Sequence, residues 1–545
     1  MECIDGTPFD DWKIFSSKAG CRAFRGEDRL YLLEWTDYYV EGENSGLKTV
    51  LINGKPARRL KNGLFVVSFG NFVGFSELVL LFEGGKTTKV PVEVLSLKVS
   101  RMYPELLSSF EGYGIERLSH LQNAFVEALT DEILRYSSSI PFQLESPTGF
   151  STLESDEPIN ELFAYHFLRS KGERIIEAFE TVLRRMKRKL VVEGEWMRIV
   201  EVDEITPETL LSIVQHPEYL APAGERVLIA DHLNGYVPTK VLGFRKYESF
   251  DTPENRFVKH FLNLLVEWSK RVLEAFGGRR ETDIERIQEL LGKLEFIGSD
   301  GLWEDIGEIT LFPYTSQTLL KGDGYRELLE LYREFTSYLP FFEELQRAID
   351  NKDIAKLYEY WAFFRLVDEL GKILGEKELE IHMLSTGELS ESGDVYAEFD
   401  NGWRLYYNKR LTPGRWSYSV TLRPDFSLFN GNPSKKSTKL IGVFDAKFKL
   451  DVVDAPKEIG EFDEETEIAE KTGNYETWAK LEDVYKMHTY RDALGCRFAV
   501  VVYPGKESLF FDANMGRVEG FALEEGLTGE LNGVGYLRFV PEVRR

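Results

Sequence analysis

The alternation of apolar and polar positions changes its period along the chain. Up to about residue 97 it is short and strand-like. Leu30–Trp35, Lys48–Ile52, Leu64–Phe69, Glu77–Phe82 and Thr87–Leu95 are rich in aliphatic and aromatic residues, as half-buried strands are. Asn53-Gly54, Asn62-Gly63 and Gly84-Gly85 punctuate them, and such pairs supply the positive φ that tight hairpins need. From about residue 98 the period lengthens. Ile115, Leu118, Leu121, Phe125, Leu129 and Ile133 share one face of a predicted helix from Ile115 to Tyr136. Pro158–Arg169 and Arg174–Leu190 predict two more helices. Thr206-Pro207 and Thr252-Pro253 each join an N-cap side chain to a proline at the first helical position. The second opens a long helix that stops near Gly277-Gly278. Helical patterning continues to about residue 350, around an irregular patch at Gly298–Gln317.

A further helix is predicted over Ile354–Leu374, with Ile354, Leu357, Trp361, Phe364 and Val367 on its apolar stripe. Strand patterns then return at Glu378–Ile381, Val395–Phe399, Trp403–Asn408, Ser417–Leu422, Phe426–Phe429, Leu440–Leu450 and Arg497–Tyr503, with a helix at Tyr475–Leu494. Asp451–Gly473 is acidic and lacks a period, which predicts a loop. The chain thus reads as a multidomain α/β protein. Residues 1–97 form a β-rich, sandwich- or barrel-like docking domain. Residues 98–350 form a mainly helical region. Residues 351–545 form a mixed sheet flanked by helices.

Candidate chemistry sits in that last region. Arg423-Pro424-Asp425-Phe426 leads into one strand, a turn-rich interval follows, and Val443-Phe444-Asp445-Ala446-Lys447-Phe448 lies in the next. Side chains two apart on a strand share a face, so Asp445 and Lys447 project together, and a hairpin can bring Asp425 beside them. Carboxylate oxygens are the ligands that Mg²⁺ and Mn²⁺ prefer. A metal held there would polarise a phosphate or activate a water, with the lysine stabilising developing charge.

Composition narrows the picture. A chain of 545 residues with 43% hydrophobic and 13% aromatic residues supports several cores. No run approaches the roughly 18 apolar residues of a membrane span, and Met1-Glu2-Cys3-Ile4-Asp5 lacks the features of a signal peptide. Cys3, Cys21 and Cys496 are too few and scattered for a disulfide framework or a zinc site, which predicts a reducing cytoplasm. The net charge of −24 argues against a nonspecific nucleic-acid coat but leaves room for a local DNA site. The seven histidines form no metal-spaced pair, and no Gly-x-Ser-x-Gly elbow occurs. Zinc and serine hydrolases are therefore poor readings.

Pro424-Asp425 followed by Asp445-Ala446-Lys447 resembles the signature of the PD-(D/E)XK nuclease superfamily. The resemblance implies a restriction-endonuclease-like domain using Mg²⁺, with Mn²⁺ as a substitute. Asp425 and Asp445 would hold the ion, the Ala446 carbonyl would add a ligand, and Lys447 would assist at the scissile phosphate. Such domains often open with a helix that supplies another acidic residue. Glu359 is the candidate here, with a surface carboxylate as the alternative. Lys486 and Tyr490 fall one helical turn apart and are candidates for DNA phosphate contact. Arg184, Arg185 and Lys187 belong to the densest basic cluster, which is either a backbone contact or a solvated helix end.

The stretch Asp251-Thr252-Pro253-Glu254-Asn255-Arg256-Phe257, together with the order of regions, resembles the McrC-type nuclease subunit of McrBC restriction systems. That resemblance implies antiviral defence and a partner, an AAA+ GTPase ring of McrB type that the chain binds and stimulates. No Walker A pattern occurs, so the motor would be a separate chain. Double-strand cutting would need transient pairing of two nuclease domains. The alternative is a noncatalytic assembly or DNA-clamp protein with a nuclease-like scaffold.

Overall fold

The computed structural model of the chain describes all residues except 1, 10, 19, 43–45, 71, 111–113, 140–141, 146–157, 159, 225–227, 279–282, 314–315, 338, 377–378, 385–394, 449–474, 506, 530 and 544–545. The expected acidic loop at Asp451–Gly473 lies outside the described residues. Contacts divide the chain into two units. One comprises Met1–His166, Ala275–Ile284 and Thr336–Arg545, and the other Phe167–Glu274 and Glu285–Phe335.

The first unit begins with two sheets, of seven and five strands, packed on one apolar core. Trp12, Ile14, Tyr38, Val40 and Phe65 come from one sheet and Leu30, Leu32, Leu78, Leu80, Val92 and Val94 from the other. The predicted strands are present as Leu30–Leu33, Leu47–Ile52, Phe65–Ser68, Gly74–Phe82 and Thr87–Leu95. Trp12–Ser16 and Asp37–Gly42 join them, though the sequence reading passed over both. Pairing of Glu2–Cys3 with Ala23–Arg25 brings Cys3 to a disulfide with Cys21, with a Cα separation of 6.1 Å. Cysteines read as too few and scattered for a disulfide framework thus form one bridge: strand pairing, not sequence spacing, closes the gap. Cys496 remains a free, buried thiol.

The C-terminal part of this unit is a ten-stranded mixed sheet. Its order runs Phe142–Glu145, Glu380–Leu384, Val395–Glu398, Arg404–Tyr407, Phe426–Phe429, Leu440–Ala446, Phe498–Tyr503, Gly533–Arg538, Leu509–Asp512 and Gly516–Glu519. Leu440–Ala446 and Phe498–Tyr503 are parallel neighbours, buried at every position, as central strands covered on both faces must be. The Tyr475–Leu494 helix is the crossover between them, since parallel strands need such a connection. Ile354–Leu374 is buried almost all round, so its core role extends well beyond the predicted stripe. It packs beside the Ile115–Ser139 helix, where Trp361 Nε1 donates to Glu132 at 2.8 Å. Ser417–Leu422 is not a strand. Its region is turns and bends held by isolated bridges, Leu411 with Leu422 and Pro413 with Ser417, and Ser417 is buried.

The second unit is helical, with ribbons. Lys189–Met197 pairs with Val241–Ser249 over its full length; Lys189–Met197 is mostly exposed and so shows no alternating apolar face. The expected break between Pro158–Arg169 and Arg174–Leu190 does not occur, because Glu161–Arg184 is one helix. Gly172 sits inside it for a packing reason: a Cβ there would meet Leu290 Cδ2 at 3.3 Å. The Thr252-Pro253 start is as predicted. Thr252 Oγ1 accepts from the Asn255 amide at 3.2 Å, and the helix runs Pro253–Phe276.

Candidate active site

The hairpin predicted around Asp425 and Asp445 is present. Phe426 pairs with Phe444 in an antiparallel register, which sets Asp425 and Asp445 one step further on, opposite each other. The Ala446 amide donates to Asp425 Oδ2 at 2.7 Å and so fixes that carboxylate at the strand end. Val443 belongs to the core shared with Met487 and Tyr490. Asp445, two residues on, therefore faces the helix Tyr475–Leu494.

Two ammonium groups meet Asp445. Lys447 Nζ lies 2.8 Å from Oδ2 and Lys486 Nζ 2.9 Å from Oδ1. The carboxylate itself is 1% exposed. Glu359 Oε1 accepts from Tyr407 Oη at 2.6 Å, Lys356 Nζ at 2.9 Å and Asn408 Nδ2 at 3.1 Å. Asn408 also donates its backbone amide to the Asp425 carbonyl at 2.7 Å, so one residue ties the Glu359 helix to the Asp425 strand. It does so with φ of 50°, a conformation asparagine tolerates better than most residues.

The electrostatics follow from this crowding. Burial first, then Asp445 and Glu359, push the Asp425 carboxyl up to about 8, against the pull of Lys447 and Lys486. Burial also opposes ionisation of Asp445, but the two ammonium groups prevail and hold it below the usual carboxylate range. Burial would lower Lys447, yet Asp445 and Asp425 raise it above the ordinary lysine value. Lys486 is raised in the same way, chiefly through Asp445. Opposed shifts in neighbouring groups are a mark of functional sites.

The other candidates separate. Lys486, read from the sequence as a phosphate contact, reaches the carboxylate cluster directly. Tyr490 is 6% exposed and its hydroxyl donates to the Arg423 carbonyl at 3.4 Å. Burial accounts for its raised pKa, and it supports the cluster from beneath, with Lys486 Nζ 5.3 Å from its ring. The hydroxyl of this phosphate-contact candidate thus has a backbone partner. Arg184, Arg185 and Lys187 belong to the other unit. Arg184 pairs with Glu180 at 3.1 Å and Arg185 with Asp323 at 3.7 Å, and the Lys187 amide donates to Tyr325 Oη. Sequence reasoning did not find Tyr407, Asn408 or Lys356. Only Lys356, three residues before Glu359 on one helix, left a local signal.

Among the described residues no group of three or more Asp, Glu, His or Cys side chains is gathered closely enough to hold a metal. Mg²⁺ usually keeps several waters and binds through one or two carboxylates plus substrate phosphates, so the Asp425–Asp445 pair fits it in kind. Asp445 Oδ2 faces the Lys447 ammonium at 2.8 Å without an aligned hydrogen bond, which leaves it lone-pair capacity that a hard cation would take up.

Residues 66–332 match a domain of unknown function, DUF2357. Residues 356–508 match the PD-(D/E)XK nuclease superfamily. No curated protein matches. One similar solved structure is a half-complex of Thermococcus gammatolerans McrB AAA+ hexamers with bound McrC, at 14% identity and a TM-score of 0.22, covering 86% of this chain and 81% of that one. Another is the polysaccharide lyase BACCELL_00875, at 12% identity and a TM-score of 0.13, covering 65% of this chain and 44% of that one. The matched region contains Glu359, Asp425, Asp445, Lys447 and Lys486, and with it the C-terminal domain of this chain belongs to the PD-(D/E)XK nuclease superfamily.

Proposed function

We propose that this chain is the metal-dependent DNA endonuclease subunit of a modification-dependent restriction system of McrBC type, acting with a separate AAA+ GTPase motor. The observation that carries the nuclease reading is the convergence of Asp425, Asp445, Lys447 and Lys486 at one end of the central strands. The motor partner rests on the Asp251–Phe257 stretch and the order of regions, both read from the sequence.

Asp425 and Asp445 would hold Mg²⁺, or Mn²⁺ in its place, with the Ala446 carbonyl as a further donor. Bound there, the ion would supply Lewis-acid polarisation of the scissile phosphate and a more acidic water. The chain's own groups do the rest. Lys447 and Lys486 bring two positive charges to where phosphate charge grows. Glu359, held by Tyr407, Asn408 and Lys356, adds negative charge beside Asp425 and strengthens its demand for a cation. The products expected are a 5′-phosphate and a 3′-hydroxyl.

The test is Mg²⁺-dependent cleavage of methylated and unmethylated plasmid by the chain and its NTPase, wild type against Asp445→Ala. The expected outcome is NTP-dependent cutting by wild type only, with DNA binding and complex assembly retained in the variant. Cutting by both proteins removes the site assignment. Cutting by neither, with the complex still assembled and hydrolysing NTP, favours the assembly-protein alternative.

A further inference from the structure

The N-terminal β domain reaches both ends of the candidate site. The first connection runs through the backbone. Phe75 N donates to Asn351 O at 2.7 Å, and Ile354 N donates to Val73 O at 3.1 Å. Ile354 is the first residue of the helix that carries Glu359, less than two turns further on. The approach is close because Gly74 stands at φ +140°, and a Cβ there would lie 2.4 Å from Lys352 O and 2.5 Å from Asn351 O. Lys352, at φ 49°, places its ammonium 4.4 Å from the Phe75 ring centroid and 2.6 Å from Asn123 Oδ1. The start of the Glu359 helix is thus clamped against the strand Gly74–Phe82.

The second connection runs through side chains. Lys98 Nζ lies 2.9 Å from Glu34 Oε2. It also lies 5.8 Å from the Trp35 ring and 5.7 Å from the Phe448 ring. Glu34 is 6% exposed and also accepts from Ser96 Oγ. Phe448, the residue after Lys447, is 6% exposed and packs on Phe125 at 5.6 Å and Tyr358 at 6.0 Å. A partly buried ion pair with cation–π contacts is a stiff link, and here it presses on the chain immediately beyond Lys447.

We propose that Gly74, Lys98 and Glu34 are positioning residues for the nuclease site. Through the Gly74 clamp the β domain sets the placement of Glu359, and through the Lys98–Phe448 contact that of Lys447. A partner docked on this domain would then act on the site through these two links. The catalytic consequence rests on the nuclease reading above, whereas the mechanical link does not.

The experiment uses the full chain with its NTPase. The Glu34→Gln/Lys98→Met double variant removes both charges and leaves neither buried alone. Lys98→Arg is the conservative control, and Gly74→Ala tests the clamp. Hydrogen exchange is followed over Val443–Phe448 and Ile354–Ala362, beside cleavage kcat and the KM for DNA. Faster exchange over Ile354–Ala362 for Gly74→Ala, and over Val443–Phe448 for the double variant, is expected. So is a fall in kcat of at least about tenfold at unchanged KM, with Lys98→Arg near wild type. Exchange at wild-type rates in these segments overturns the proposal, whatever the cleavage result. Faster exchange with kcat unchanged in a cutting enzyme overturns its catalytic half. A wild type that fails to cut with Mg²⁺ overturns the nuclease reading and the catalytic half together, and exchange still decides the link. If the double variant does not fold, Phe448→Leu, which removes the ring that Lys98 Nζ faces, takes its place, with the same outcomes over Val443–Phe448.

Discussion

At the scale of residues, the site is a charge balance: two carboxylates and two ammonium groups share one buried patch, with Glu359 at its border. Lys486 is the member with the most to show. It contacts the same carboxylate as Lys447 but through the other oxygen, so it is placed to orient Asp445 as well as to meet substrate charge. Lys486→Met should lower single-turnover cleavage about a hundredfold, the usual scale for losing one preorganised electrostatic group, with little change in DNA affinity. Wild-type cleavage by this variant would restrict Lys486 to neutralising Asp445. Beyond the site, Asn255 shows how a polar residue earns full burial. At 0% exposure, it donates to Lys187 O at 2.8 Å and Phe250 O at 2.6 Å and accepts from Tyr325 Oη at 2.5 Å. Asn255→Ala leaves those partners unmet and should destabilise by about 3 kcal/mol, read by urea unfolding.

At the scale of elements, the start of the Pro253–Phe276 helix is locked from several sides. Arg256 bonds Asp251 through both carboxylate oxygens at 2.6 Å, and the Gly307 amide adds a contact at 3.1 Å. Glu254 takes Ser316 Oγ at 2.6 Å. The stretch that carried the family resemblance is therefore a structural knot within its own unit. The Arg256 guanidinium, helped by the Gly307 amide, holds the Asp251 carboxyl well below the usual carboxylate range. A group depressed in the folded state adds stability that is complete above its unfolded pKa, about 3.9, and is lost as pH falls below it. Asp251→Asn should therefore destabilise at pH 7, and the difference from wild type should shrink steadily below about pH 4. A difference that stays constant with pH in urea titrations would assign the contribution to packing rather than to charge.

At the scale of the whole molecule, the net charge of −24 means that the proposed polyanionic substrate must be met through local cation placement. The chain carries one Asp425–Asp445 pair, and cutting both strands of a duplex takes two. Linear DNA product should therefore form at a rate that rises more steeply than the first power of protein concentration, while nicking rises in proportion. Strict proportionality for both products would mean that one site cuts the strands in turn. Among the described residues no helix is long and apolar enough to cross a membrane.

Much of this was legible in the sequence because it is local. Turn residues between apolar runs fixed the Asp425–Asp445 hairpin, and two-residue alternation put Asp445 and Lys447 on one face. An N-cap followed by proline marked the Pro253 helix, and 3.6-residue spacing marked Ile115–Ser139 and Ile354–Leu374. Where period was absent or misleading, reading failed. The exposed ribbon strand Lys189–Met197 has no apolar face to announce it, and Ser417–Leu422 alternates without a neighbour to pair with along its length. Tertiary structure alone decided the rest. It joined Cys3 to Cys21, ran Glu161–Arg184 through Gly172, and placed Phe142–Glu145 beside Glu380–Leu384. It also set Lys486 on Asp445, buried Tyr490, and closed Tyr407 and Asn408 over Glu359. The physical reason is the same throughout: dihedral preference and periodicity act over a few residues, whereas pairing, close approach and charge balance depend on which distant segments the core brings together.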